Sequence, residues 1–158
     1  MTMLGATAII IYNEDESKVL LSQRKGSHEG GKFAVAGGAI ELGEFPIDAA
    51  LRELFEETDI KDVRLNAIPV VTSYFYPDFG IYWFCFWFGI RIKERIISFV
   101  EKDSNGDPKS GPWLWYPLDD LPTPLFPASE DVIKKNYDPT CLTFTRYEET
   151  MSEVRFNC

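Results

Sequence analysis

Glu53, Glu56 and Glu57 stand within one short run, and their spacing sets what chemistry the chain could carry. Residues 46–58 read as a helix. Ile47, Ala50, Leu51 and Leu54 recur at helical period, and Pro46 suits a first turn, where its missing N–H is not needed. At about 100° per residue, with Glu53 as zero, Glu56 falls at about −60° and Glu57 at about +40°. The three carboxylates share one face, and the apolar positions with Thr58 form a separate, core-facing stripe. Like charges at these spacings destabilise a helix by roughly 0.2–0.5 kcal/mol per pair, which a divalent cation would offset. Oxygen-only ligation selects Mg²⁺, or Mn²⁺ in its place, over zinc. Such an ion bridges carboxylates to phosphates and polarises the bond to be cut, with a carboxylate as base. Arg52, beside Glu53, is placed to hold that carboxylate by a bidentate contact. Taken alone, the same face fits a solvated acidic surface equally well, and periodicity does not separate the two.

Composition narrows the choice. A chain of 158 residues fits one domain with its own core, and 45% hydrophobic and 15% aromatic residues exclude disorder. A formal charge of −9 argues against a nucleic-acid polymer as partner. An acidic protein can still bind a polyanion through a divalent cation. The single histidine, His28, excludes zinc sites built on several histidines and leaves Ser–His or Cys–His catalysis dependent on that residue. Cys85, Cys141 and Cys158 show no CxxC spacing, so reduced thiols in a cytoplasmic protein are expected. The apolar run from Leu4 to Tyr12 is too short to span a bilayer and lacks the flanks of a cleavable leader, so no membrane partner is expected.

The elements that must position the glutamates follow from pattern and punctuation. Strands are expected at 4–12 and 18–24 around a turn at 13–17, then a glycine-rich loop at 25–32 and a short strand at 33–36. The Gly37-Gly38 turn and a second loop lead into the helix. Strands at 67–76 and 81–93 flank Pro77-Asp78-Phe79-Gly80, a strong turn signal. Residues 81–88 are apolar on both faces, which predicts a central strand covered on both sides. A polar loop at 100–112, a strand at 113–116 and a helix at 128–136 follow. The result is an α/β fold of one domain, a mixed sheet with helices on both faces, with residues 138–158 as an extended, partly ordered C-terminal extension.

Gly38, five residues, Glu44, seven residues, then Arg52-Glu53-Leu54-Phe55-Glu56-Glu57-Thr58-Asp59-Ile60 resembles the Nudix box, GX5EX7REUXEEXGU. One fixed position departs: Asp59 stands where the family has glycine, which ends the helix in a left-handed conformation. Ala36 replaces a proline often found before the Gly-Gly pair. The resemblance implies a Nudix fold, an α/β/α sandwich, and Mg²⁺-dependent hydrolysis of a nucleoside diphosphate linked to another group. It implies Glu53, Glu56 and Glu57 as metal ligands, with Gly37 adding its carbonyl oxygen. Arg52 would orient Glu53, Glu44 would support the site from the loop, and Glu53 and Glu57 would serve catalysis. A further acid outside the box is expected among Glu101, Asp103 and Asp107.

Similarity also runs from about residue 5 to 139. Arg24-Lys25-Gly26-Ser27-His28, Gly31-Lys32-Phe33, Trp113-Leu114-Trp115-Tyr116-Pro117 and Pro124-Leu125-Phe126 resemble MutT-like nucleoside triphosphate diphosphatases. In that group Asp107-Pro108-Lys109 corresponds, with a one-residue gap, to a Glu-Pro-x-Lys motif. The implied reaction releases a nucleoside monophosphate and pyrophosphate from a (deoxy)nucleoside triphosphate, with oxidised purines such as 8-oxo-dGTP as one class. A homodimer is common in the group. Ala39 takes the place of a histidine near the substrate, which opens the nucleotide preference. Arg24 and Lys25 either meet phosphates or end a strand in solvent. Tyr74, Phe84 and Phe126 are candidates for stacking a base, while most of the aromatic stripe 82–88 is core. Two other readings are hydrolysis of dinucleoside polyphosphates, NADH or a nucleotide sugar, for which Tyr76 is a weak signal, and a non-catalytic nucleotide-binding module. Such modules lose box glutamates, and this chain keeps them.

Overall fold

Alternation along the first strand divides the core in two. In the computed structural model, which describes residues 1–25, 30–135, 137, 139–148 and 154–156, that strand is β1 (Thr2–Asn13). Ile9 and Ile11 point to one side, where they pack with Leu20, Ala50, Leu54 and Trp113. Ala8 and Ile10 point to the other, among Val19, Leu21, Trp87 and Val132. An unbroken apolar run is what a strand covered on both faces requires.

The chain continues through β2 (Lys18–Gln23), β3 (Phe33–Ala34), β4 (Ala36–Ala39), α1 (Pro46–Thr58), β5 (Asn66–Tyr76) and β6 (Ile81–Ile92). It ends, among the described residues, with β7 (Leu114–Pro117), α2 (Pro127–Lys134), β8 (Thr143–Glu148) and β9 (Val154–Phe156). The strands form one mixed sheet in the order β3-β2-β1-β6-β5-β8-β9, with β4 on β1 and β7 on β2. β6 runs parallel to β1 and antiparallel to β5, so it lies centrally, as its apolar sequence predicts. α1 supplies Ala50 and Leu54 to one core cluster, and α2 supplies Ala128 and Val132 to the other. The expected α/β/α sandwich is thus the observed one.

Two departures matter for the site. The short strand expected at 33–36 is two strands parted at Val35. β3 pairs with β2, whereas β4 pairs with β1 through Ala6↔Ala39 to Ile9↔Ala36. The chain therefore changes partner at residue 35, because one edge of β1 is shared between β2 at Tyr12 and β4 farther down. The second departure is the tail. β8 joins the sheet in parallel beside β5, from Val70↔Thr143 to Phe75↔Glu148, and Tyr147 is buried in the α2-side core. Its β-prone residues cover an edge of β5 that would otherwise present unpaired backbone groups. Residues 26–29 of the glycine-rich loop expected at 25–32 lie outside the described residues. Cys85 is a free thiol but Cys141 is disulfide-bonded. That corrects the expectation of three reduced thiols.

α1 opens at Phe45 with no side-chain cap and has Pro46 in its first turn. It closes at Asp59, which adopts φ 55° and ψ 22° and donates its N–H to the Phe55 carbonyl at 2.9 Å. The left-handed conformation expected of the family's glycine is retained by an aspartate, at a steric cost glycine would not bear. Asp59→Gly should therefore raise stability by about 0.5–1 kcal/mol, measured by urea unfolding, with activity unchanged.

Candidate active site

Gly37 and Gly38, expected as a turn, lie inside β4 paired with Ala8 and Thr7, and their lack of side chains lets α1 pack against the sheet. Gly37 has φ +152°, and a Cβ there would lie 2.1 Å from the Thr7 carbonyl oxygen across the β1–β4 pairing. At Gly38 a Cβ would fall 2.4 Å from the Glu53 carboxylate, so the missing side chain is the space that carboxylate occupies. The Gly37 amide donates to Glu57 Oε2 at 2.9 Å, fixing the second box carboxylate on the same strand.

Arg52 ties the preceding loop to the helix. Its Nε and Nη2 donate to the two oxygens of Glu44 at 2.7 and 2.9 Å, a bidentate pair. Nη1 reaches Glu53 Oε1 at 2.8 Å and Glu56 Oε2 at 3.1 Å, and Nη2 also reaches the Ala39 carbonyl at 2.9 Å. The bidentate contact expected for Glu53 goes to Glu44, and Glu53 receives a single bond. This is a matter of reach: Glu44 curls over the helix start, with its Oε2 also accepting the Glu41 amide at 2.9 Å. The Arg52 hydrogen bonds, helped by that amide, hold the Glu44 carboxyl down at about 2. Glu44 thus stays ionised at any working pH.

Glu53 and Glu57 are shifted the opposite way. Burial raises Glu53, against the opposing pull of Arg52. Burial pushes Glu57 up to about 8, and the charges of Glu53 and Glu101 add to the shift, while the Gly37 amide and Arg24 oppose it. Glu53, Glu57 and Glu101 line one polar cavity of about 640 Å³ together with Asp103, Asp107, Lys25, Lys109 and Arg24. Glu56 is not in that lining; it stands at the rim on Arg52, with its side chain 43% exposed. Among the described residues no three carboxylates are already gathered as a ligand cluster. The donor set nonetheless fits a hard divalent cation: oxygen ligands that repel one another across a cavity, one of them held above its ordinary pKa by burial.

A second cavity of about 320 Å³ adjoins the first, and the two share Arg24, Ala34, Val35, Gly37 and Gly38. The segment where the chain crosses from β2 to β1 is therefore their common wall. This cavity is mainly apolar, and Tyr74, Tyr76, Trp83, Trp87 and Phe126 line it together with small residues that include Ala39. Tyr74 and Phe126 have ring centroids 5.4 Å apart, and the Arg24 guanidinium lies 5.6 Å from the centre of the Phe126 ring. Of the three rings expected to stack a base, Tyr74 and Phe126 are here. Phe84 is not: it stacks with Tyr82 on the opposite face of β6. Strand alternation selects Trp83, Cys85 and Trp87 instead. That period-two signal was available in the sequence, but nothing fixed which face was which. Burial pushes the Cys85 thiol up to about 12, so it is an inert wall of this cavity.

With this geometry in place, the comparisons identify the class. The NUDIX domain model matches residues 1–135. The chain is 28% identical over 149 residues to an RNA pyrophosphohydrolase of Bartonella quintana, covering 80% of this chain and 83% of that protein. It is 31% identical over 140 residues to an RNA pyrophosphohydrolase of Bartonella tribocorum, covering 73% and 76%. Its fold matches the MutT Nudix hydrolase of Burkholderia pseudomallei, with TM-score 0.69, 22% identity and coverage of 85% of this chain and 98% of that one. The MutT protein of Bacillus halodurans gives TM-score 0.67 at 21% identity, covering 96% and 94%. The protein belongs to the Nudix family, and it is a hydrolase of phosphoanhydride bonds.

The raised Glu57 carboxyl has a consequence for the metal-free protein. Its folded pKa of about 8 lies above the unfolded value, so the folded state binds the proton more tightly. That stabilisation is full below the unfolded value and is lost as pH rises through the folded one. Glu57→Gln removes the titration while keeping an acceptor for Gly37. The metal-free variant should therefore exceed wild type by about 1 kcal/mol or more at pH 8, with the gap closing towards pH 5, in parallel urea titrations. Gly38→Ala should leave the fold standing but displace Glu53, lowering kcat by about tenfold or more in a steady-state assay.

Proposed function

We propose that the protein is a Mg²⁺-dependent pyrophosphohydrolase that converts a nucleoside triphosphate and water to a nucleoside monophosphate and pyrophosphate. The observation that carries this reading is the junction at Gly37 and Gly38: a cavity of carboxylates opens directly into a cavity of aromatic rings. One is suited to a cation and phosphates, the other to a stacked base. In this reading the sugar and α-phosphate lie at their shared wall, beside Arg24.

Glu53 and Glu57 would hold the cation, with Glu56 from the rim and the Gly37 carbonyl from β4 completing the set. Mn²⁺ substitutes for Mg²⁺. When bound, the cation polarises the scissile phosphoanhydride and neutralises charge that develops on its oxygens. Glu53, oriented by Arg52 and desolvated, is placed to take the proton from the attacking water. Glu44 keeps Arg52 in place, and Glu101 is the further acid. Of the three candidates in its loop, Glu101 is the one whose charge is felt at both Glu53 and Glu57. Arg24 and Lys25 meet the phosphates, Phe126 stacks the base, and Ala39 leaves room beside it. Oxidised purines such as 8-oxo-dGTP belong to the substrate range to be tested.

A second reading takes the 5′-triphosphate end of an RNA as substrate, favoured by relatives named RNA pyrophosphohydrolase. The charge of −9 opposes it, since a polymer brings phosphates that this surface repels.

Pyrophosphate release should require Mg²⁺, stop on chelation, and fall by about 100-fold or more in Glu53→Gln and Glu57→Gln. Full activity in both variants would remove the mechanism. A panel of dNTPs, 8-oxo-dGTP, diadenosine polyphosphates, NADH, ADP-ribose and a 5′-triphosphate RNA then ranks the substrates by kcat/KM. Turnover of the RNA alone would replace the first reading with the second, and binding without turnover would favour a non-catalytic module.

A further inference from the structure

Lys109 lines the acidic cavity, and the reaction above leaves it without a role. It is held there by the backbone. Residues 101–109 form a small hairpin, with Lys109 N–H donating to the Glu101 carbonyl at 2.9 Å and Asp103 N–H to the Asp107 carbonyl at 2.8 Å. The Asp103 carboxylate caps its tip by accepting the amides of Asn105 and Asp107 at 2.8 and 3.0 Å. The hairpin is fastened to the end of β2 through Lys25 N–H on the Lys109 carbonyl and the Arg24↔Ser110 bridge. Lys109 and Glu101 are thus cross-strand neighbours, and the Lys109 ammonium is bonded to Glu101 Oε1. The charges of Glu53 and Glu56 reach the same ammonium, beyond that of Glu101. The Lys109 side chain is half-exposed, while that of Glu101 is 23% exposed.

We propose that Lys109 is an exchangeable counterion: it pins Glu101 until a divalent cation takes that carboxylate, then turns to the phosphates of the substrate. The inference rests on the cavity being the cation and phosphate site, as read above. Three features make the exchange possible. The hairpin fixes the Lys109 Cα through main-chain bonds, so only the side chain has to move. Lysine presents a compact charge on a four-carbon stem that reorients freely, unlike a guanidinium locked in a fork. Arg52 cannot act this way, because its donors are already committed to Glu44, Glu53, Glu56 and Ala39. The exchange also explains why the carboxylates are not yet gathered as ligands: Lys109 draws Glu101 to itself while Arg52 draws Glu53.

The two halves of the role predict effects of opposite sign, which a structural role would not produce. Mn²⁺ binding to the full chain without nucleotide, followed by the electron paramagnetic resonance of the free ion, should be roughly two- to fivefold tighter in Lys109→Met than in wild type. Lys25→Met, which removes a cavity cation that has no carboxylate contact among the described residues, should gain less. With saturating Mg²⁺, kcat/KM of Lys109→Met for the fastest triphosphate of the panel above should drop about tenfold, and Lys109→Arg should recover much of it. Lys109→Gln serves if the methionine variant does not fold. Unchanged or weaker Mn²⁺ affinity, an equal gain in Lys25→Met, or an undiminished kcat/KM would each overturn the proposal. Failure of the wild type to bind Mn²⁺ or to hydrolyse any triphosphate would instead overturn the reading beneath it.

Discussion

A guanidinium carries its donors in one plane, and Arg52 spends them on two pieces of chain that would otherwise part. On one side are Glu44 and the Ala39 carbonyl, from the strand end and loop that enter the helix; on the other are Glu53 and Glu56, from the helix itself. Three carboxylates and a carbonyl converge on one positive group, and the loop is thereby clamped to the helix. An ammonium could not do this, since it lacks the planar fork that grips Glu44 with two bonds while still reaching Glu53. The clamp is also electrostatic. It neutralises the rim of the site, whereas farther in Glu57 has no contact with Arg52 and Glu101 is paired with Lys109.

That division of charge gives the site its character. Where Arg52 reaches, Glu44 is held firmly ionised. Where it does not, burial and neighbouring carboxylates raise Glu57 instead. A site that holds acids apart with basic side chains is poised for a cation that can replace them. Stability is lost in keeping desolvated carboxylates together, and the buried cores on both faces of the sheet supply what offsets it. Gly37 and Gly38 show how tight the arrangement is: one lets two strands touch, and the other makes room for a carboxylate.

The helix, its boundaries and its left-handed exit at Asp59 were legible in the sequence, because each depends on local signals: apolar period, a proline at the start, and a residue tolerant of positive φ at the end. Most strands were legible for the same reason. The split at Val35 was not, since four residues of apolar and small side chains carry no sign that the chain changes partners among them. β8 was missed as a sheet member because pairing with β5 joins residues some seventy positions apart. That Trp83 and not Phe84 lines the aromatic cavity was not legible, because a strand apolar on both faces does not say which face meets a cavity.

What the sequence determined by itself was therefore the chemistry: the identity of the carboxylates, the arginine beside them and the glycines before them, all within reach of one another along the chain. Tertiary structure decided which charges meet. It brought Glu101 and Lys109 across from a distant loop to face Glu53 and Glu57, set Glu56 at the rim, and turned one face of β6 into an aromatic wall. The physical reason is range. Helix period and turn chemistry act over a few residues and leave a mark in the sequence, whereas electrostatic partners and cavity walls are set by which strands lie side by side.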